Sequence, residues 1–221
     1  MDFQNIKNIT IPEGEVVSIS VGDVMLWQKA RLPSEYQEVA YLESTGTQYI
    51  DTGITPSEDF KVVARMAFTT NPAGTSAEQL NGVSYGGRCA WGYTKSVATQ
   101  NFYIGIKEKN IDTGVTLDAL PHTFVINMDG SWCIDDYSGQ LDCGTSMTAS
   151  NVWLFARNRA SGAVNAACKE KCYFCQIYQD GVLVRNMIPC YRTSDSKPGM
   201  FDLVSKTFLT NSGTGEFTYA T

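Results

Sequence analysis

The sequence predicts an all-β chain: a large sandwich or barrel preceded by a small hairpin segment. Three observations carry this. Runs of alternating apolar and polar residues recur along the chain, as in KVVARMAF (61–68) and NFYIGIK (101–107), and a period of two marks a half-buried strand. Turn dipeptides separate the runs, among them Thr45-Gly46, Asp129-Gly130, Ser138-Gly139 and Asp180-Gly181. No helical period of 3.6 persists for ten residues anywhere. Nineteen Gly, 10 Phe and 11 Tyr in 221 residues lean the same way.

Residues 1–30 form the first segment. Ile9 and Ile11 alternate with polar residues up to Pro12-Glu13-Gly14. EVVSISVGDVMLWQ (15–28) then reads as a hairpin turning at Gly22-Asp23, because Gly at the first turn position suits a type II′ turn. Pairing Val21 with Val24 sets Ile19 opposite Leu26. Val17, Ile19, Val21, Val24 and Leu26 then share one face, with Met25 and Trp27 on the other. Two apolar surfaces on so small a ribbon require a partner. Val17, Ile19, Val21, Val24, Leu26 and Trp27 are therefore the candidate docking residues. The alternative is an N-terminal strand pair of the main domain, since consecutive strands usually neighbour one another.

Residues 31–221 read as one domain. LPSEYQEVAYLESTGTQYIDTGI (32–54) gives two β segments around a turn, at the first edge of a large sheet. In the 61–68 run, Val62, Ala64, Met66 and Phe68 fall on one side. NPAGTSAEQLNG (71–82) is a loop, and VSYGGRCAWGY (83–93) is a Gly-rich strand pair or bulged strand. Phe102, Ile104 and Ile106 share a face. HTFVINMDGSWCIDD (122–136) is a hairpin with a type I′ turn at Asp129-Gly130. NVWLFARN (151–158) reads as a single strand, Val152, Leu154 and Ala156 opposed to Trp153, Phe155 and Arg157. CYFCQIYQDGVLVRNMIPCYR (172–192) is a hairpin turning at Asp180-Gly181, pairing Ile177 with Val184 and Tyr178 with Leu183. Two short strands around Ser205-Lys206 close the chain.

Composition excludes several function classes. The net charge is −6, the isoelectric point is about 4.8, and no Lys/Arg cluster is present to follow a phosphate backbone. Nucleic acid and anionic membrane surfaces are therefore not expected partners. No run approaches the ~18 apolar residues of a membrane span. MDFQNIKNIT has no basic region leading into an apolar run, so no export signal is read there. The chain is expected to be synthesised in the cytoplasm and to stay there or leave within an assembled particle. Most of its seven Cys are accordingly expected to be reduced.

The chemistry-bearing patterns are thin. Glycoside hydrolysis needs two carboxylates at a set separation. Glu35 and Glu38 open the domain, and Asp135-Asp136 are adjacent, so they point to opposite faces. Gly82-Val83-Ser84-Tyr85-Gly86 matches a nucleophile-elbow string, but β-like residues follow it where the motif requires a helix. Cys168, Cys172 and Cys175 resemble a metal box, yet strand alternation from Cys172 to Tyr178 turns Cys172 and Cys175 to opposite faces. They read as buried thiols, and no metal or cofactor is expected. The single His122 opens a strand with no visible orienting partner and reads as structural. Asp129, Asp135, Asp136 and Asp142 lack calcium-loop spacing and read as turn residues. Sugar binding has the best case. An aromatic face stacks on a pyranose ring while amide or guanidinium donors fix its hydroxyls. Trp91, Arg88, Tyr93, Arg157 and Asn158 are the candidate carbohydrate-binding residues, with Tyr103, Trp132 and Trp153 of the right type.

LPSEYQEVAYLESTGTQYIDTGI, HTFVINMDGSWCID, NVWLFARN, CQIYQDGVLVRNMIPCYR and GMFDLVSKTFLTNSGTGEF, in this order and spacing, resemble the concanavalin A-like, laminin-G-like jelly-roll domains of phage and prophage structural proteins from gut bacteria. ITIPEGEVVSISVGDVMLWQK is similar to N-terminal pieces of tail and fibre proteins from the same source. The resemblance covers about residues 31–221. It implies two antiparallel sheets in a jelly roll and a lectin-like binding module, without fixing binding residues. The expected function is a non-enzymatic virion protein: a fibre, decoration or tail-tip component that attaches to glycans or a host surface. Residues 1–30 would join it to other virion proteins. A homo-oligomer fits the symmetry of virion spikes. The alternatives are a bacterial carbohydrate-binding adhesin and a glycoside hydrolase.

Overall fold

The computed structural model describes residues 9–11, 14–16, 18–21, 24–28, 31–69, 82–85, 88–95, 101–107, 109–145, 150–159, 164–165 and 168–220. The chain divides into two units, Met1–Ser34 and Glu35–Thr221.

In the first unit, β1 (Ile9–Ile11) pairs antiparallel with β2 (Gly14–Val16), and β3 (Ser18–Val21) with β4 (Val24–Gln28). Val21 lies opposite Val24, as the hairpin reading expects. The register then shifts: Ser20 faces Met25 and Ile19 faces Trp27, not Leu26. Leu26 is the extra residue of a bulge, which breaks simple alternation along β4. Among the candidate docking residues, Ile19, Val21, Val24, Leu26 and Trp27 are strand residues, and Val17 lies outside the described residues.

The second unit is all-β, and its described residues contain no helix. The early strands are β5 (Tyr36–Glu38), β6 (Tyr41–Thr45), β7 (Ile50–Asp51), β8 (Phe60–Phe68), β9 (Gly82–Tyr85) and β10 (Arg88–Lys95). The middle strands are β11 (Asn101–Ile106), β12 (Lys109–Thr116), β13 (His122–Asn127), β14 (Ser131–Ile134), β15 (Tyr137–Gln140), β16 (Trp153–Leu154), β17 (Arg157–Arg159) and β18 (Val164–Asn165). The last are β19 (Lys169–Gln179), β20 (Val182–Arg192), β21 (Pro198–Asp202), β22 (Thr207–Thr210) and β23 (Thr218–Ala220).

They form two sheets. An eleven-stranded sheet runs β15-β14-β13-β8-β19-β20-β21-β22, with β6 beside β19 and β23, and β5 beside β20. An eight-stranded sheet runs β12-β11-β10-β9-β16-β7, with β17 beside β9 and β18. Pairing is antiparallel throughout except for β17 against β9. The predicted core faces are observed. Val62, Ala64, Met66 and Phe68 of β8 and Phe102, Ile104 and Ile106 of β11 are buried in one apolar cluster. Phe102 of the smaller sheet stacks on Phe68, 6.2 Å between ring centres, and meets Phe124 edge-on at 5.2 Å, both in the larger sheet. Each such ring contributes roughly 1.5–3 kcal/mol by leaving water.

Five local readings change. Ser138-Gly139 is not a turn: both residues lie within β15, opposite Cys133 and Trp132. β6 and β7 lie in different sheets, and β6 sits between β19 and β23 instead of at an edge. The turn between them is tied by Gln48, whose buried Oε1 accepts from the Thr45 backbone N–H at 2.8 Å and the Ser44 hydroxyl at 3.1 Å. Asp129-Gly130 is not a type I′ pair, because only Gly130 has positive φ (97°). Ile126 faces Trp132 and the Gly130 N–H donates to the Asn127 carbonyl, which describes a three-residue connection. Asp180-Gly181 is the true type I′ turn, with φ of 51° and 74°. Tyr178 faces Leu183 as expected, but a bulge sets Ile177 opposite Arg185. Finally, 151–158 is not one strand. Phe155 takes φ of 67° and interrupts it, and the ring is held buried against Phe217, 4.8 Å between centres.

Candidate functional site

The carbohydrate candidates picked from sequence fall in one sheet. β9 runs between β10 and β17. Val83 therefore lies opposite Trp91 on one side and Asn158 on the other, while Arg88 lies opposite Tyr85. Trp91 also stands across from Ile106, and Tyr93 from Ile104. Arg157 lies opposite Gly82 and is half-buried. Asn158 is 6% exposed, and its amide donates to the Asn151 carbonyl at 2.9 Å, so it ties the chain to itself. Trp153 is also buried, stacked on Tyr49 at 4.2 Å. The other candidate tryptophan, Trp132, belongs to the core cluster.

Described rings, cations and amides also meet on another surface, the side of the eleven-stranded sheet that faces away from the core. Its position follows from alternation. On β8, Val62, Ala64 and Met66 are core, so Lys61, Val63 and Arg65 face the other way. On β19 the alternation is broken by a bulge. Cys172 pairs with Met66 and Cys175 with Ala64, and both Met66 and Ala64 are core positions. One extra residue between them restores the parity. Cys172 and Cys175 are therefore both buried on the core side, contrary to the opposite faces expected, and Tyr173 and Phe174 are both half-buried between them.

Rings and cations interleave across β6, β19 and β8. The Lys171 ammonium lies 4.3 Å from the Tyr41 ring centre and the Lys61 ammonium 4.2 Å from that of Tyr178. The Arg65 guanidinium lies 6.0 Å from the Tyr173 ring, which meets Tyr41 at 5.5 Å. Cations over ring faces are attracted by the ring quadrupole, by about 0.5–1 kcal/mol at exposed sites. The Tyr41 hydroxyl beside it raises the Lys171 ammonium above its usual value, with Glu43 adding to this. Amides continue the row: the Tyr178 hydroxyl donates to Gln176 Oε1 at 3.2 Å, and the Gln176 amide donates to Asn186 Oδ1 at 3.3 Å. Sequence reading missed this band because it weighed tryptophans first. The signal was present in the Lys61, Val63, Arg65 alternation and in four tyrosines and phenylalanines between 172 and 192, Tyr173, Phe174, Tyr178 and Tyr191.

His122 has partners that sequence reading did not see. Nδ1 lies 2.6 Å from Asp135 Oδ2 and Nε2 2.9 Å from Asp118 Oδ1. The β13–β14 hairpin brings Asp135 across from Thr123, whose backbone N–H donates to Asp135 Oδ1 at 2.9 Å. Each ring nitrogen is thus occupied by a carboxylate oxygen. Neither nitrogen is left to serve as a base toward a third group. Burial alone would raise the Asp135 carboxyl, but the Thr123 N–H and the His122 ring hold it below the usual carboxylate value. A recess of about 260 Å³ opens beside this clamp, lined by Gly114, Val115, Thr116, Asp118, His122 and Tyr137.

No family model matches the chain, and no curated protein matches it. The site is thus read from its own geometry. Its thiols are guarded: burial pushes Cys172 and Cys175 well above the ordinary thiol value and Cys190 up to about 12. Among the described residues, no group of three His, Cys, Asp or Glu side chains is placed to hold a metal ion. Ser84 lies within β9, opposite Cys89, and not at a strand-to-helix turn.

Proposed function

We propose that this chain is a non-enzymatic phage virion protein, a fibre, decoration or tail-tip component that attaches to glycans or a host surface. In this reading residues 31–221 form a concanavalin A-like jelly roll of two packed sheets, and residues 1–30 join it to other virion proteins. The two-layer arrangement is supported by the single apolar cluster fed by both sheets. Recognition is supported by one observation above the others: the row of tyrosine rings, cations and amides from Tyr41 through Tyr173 to Tyr178 on the side away from that cluster. Aromatic faces beside amide and cationic donors are what a pyranose ring with its hydroxyls requires. The resemblance of the sequence to phage jelly rolls supplies the setting.

The test is a glycan array of bacterial-surface and mucosal sugars probed with the wild type, Tyr41→Ala/Tyr173→Ala and Trp91→Ala. The reading expects sugar binding that the tyrosine pair removes. Retention of all binding by the tyrosine variant, with loss in Trp91→Ala, moves the site to the smaller sheet. No glycan bound by the wild type overturns the reading.

A further inference from the structure

We propose that the tyrosine band selects acidic glycans, sugars carrying a carboxylate or sulfate, over neutral ones. This rests on the glycan-attachment reading and names its ligand class. The chain as a whole is acidic, at −6. The band is not. Lys61, Arg65 and Lys171 project from adjacent strands β8 and β19, with Glu43 of β6 as the carboxylate among them. Glu43 lies 3.9 Å from Lys171, at the outer limit of an ion pair. No described carboxylate reaches ion-pair distance of Lys61 or Arg65. Asp135 acts on Arg65 only through space and is itself engaged by His122.

Each cation uses one hemisphere on a tyrosine face, at 4.2, 6.0 and 4.3 Å. The ring quadrupole attracts one side of each cation, and for Lys61 and Arg65 the other N–H donors meet no described carboxylate. Arg65 Nη1 donates to the Thr123 hydroxyl at 3.3 Å, a neutral acceptor. A sugar lying on the rings would bring its hydroxyls to Gln176 and Asn186 and its anionic group to Lys61 or Arg65. Charges more than about 8 Å apart are screened at physiological salt, so the charges of the band itself, three cations and Glu43, govern the approach of a ligand more than the net charge of the whole chain.

The experiment compares one polymer in two charge states, which leaves the protein untouched. Binding of the full chain to polygalacturonate and to its fully methyl-esterified form is measured by affinity electrophoresis and calorimetry, at low and at 0.5 M NaCl. Chondroitin sulfate, alginate and neutral galactan complete the panel. The expected result is roughly tenfold or greater preference for an acidic polymer over its neutral form, lost at high salt. Lys61→Gln/Arg65→Gln should bind acidic and neutral polymers alike, while Lys61→Arg/Arg65→Lys keeps the preference. Equal binding of acidic and neutral polymers by the wild type overturns the proposal and leaves the glycan reading intact. Binding to no polymer in the panel overturns both. Self-association that protects Tyr41 and Tyr178 from solvent, without glycan binding, assigns the band to a second copy and overturns the proposal.

Discussion

Replacing Asp202 should expose how much of the fold hangs on one buried carboxylate. Asp202 ends β21 with no exposed surface. Its Oδ1 accepts from the Asn186 N–H at 2.8 Å and the Val204 N–H at 3.1 Å. Its Oδ2 accepts from the Ser205 N–H at 3.2 Å and the Ser205 hydroxyl at 2.5 Å. Arg185 Nη1 lies 3.6 Å away. The side chain therefore closes the β21–β22 turn and pins it to β20. Asp202→Ala strands the Asn186 N–H inside the sheet, at a cost of about 1–3 kcal/mol, and removes bonds to a charged acceptor worth roughly 1.5–3 kcal/mol for the best of them. Val204 and Ser205 are exposed and recover water, so the total is about 3–5 kcal/mol. At roughly 2–4 °C per kcal/mol for a domain of this size, Tm should fall by about 6–20 °C. Asp202→Asn keeps the shape but turns an amide toward donors, and should lose about half as much. Burial alone would raise this carboxyl, but the Asn186 N–H, the Ser205 hydroxyl and the Val204 and Ser205 N–H groups hold it below its usual value. A folded-state value lowered in this way gives stability that is full above the unfolded carboxylate range, near pH 4, and lost as pH falls through the folded value. Calorimetry of wild type and Asp202→Asn from pH 7 to pH 3 should show a Tm gap that narrows with acid. An Asn variant as stable as wild type at pH 7, or a gap constant with pH, would refute the reasoning.

Other outcomes follow from single features. His122→Ala breaks both carboxylate contacts and should cost about 1–3 kcal/mol in urea unfolding, discounted from a buried pair because Asp118 and Asp135 are about 40% exposed. A loss below a few tenths of a kcal/mol would show that the clamp is idle. Iodoacetamide at pH 8 on the native protein should label Cys133 and Cys143, which are half-buried, and spare Cys172, Cys175 and Cys190. Peptide mass mapping reads this directly, and rapid native labelling of Cys175 would contradict its burial. On the proposed virion reading, removing residues 1–30 should leave a folded domain that no longer joins the particle. Normal incorporation would disprove a docking role for the hairpin.

The strands that the sequence revealed are those in which burial on one side imposes period two without interruption. β8, β11 and β13 are of this kind, and Val62, Ile104 and Ile126 needed no partner to identify them as core. The Asp180-Gly181 turn was legible because the two positive φ values it needs favour these residue types. The candidate site was less so. In β19 a single added residue reverses the parity, and only the register against Met66 and Ala64 says where it sits. Alternation therefore set Cys172 and Cys175 on opposite faces, and only that register returns both to the core side with Tyr173 and Phe174 between them. His122 needed Asp135, thirteen residues on, which a hairpin brings within 2.6 Å.

Local sequence by itself determined that this protein is built of strands, where most of them run, and which faces seek burial, because alternation and turn preferences act over a few residues. Tertiary structure alone decided that β6 and β7 part into different sheets, that Phe155 breaks its strand, and that tyrosines and cations from β6, β8 and β19 meet on one side. Those outcomes depend on pairing between segments far apart in the chain, and a register is a property of two strands, not of either one.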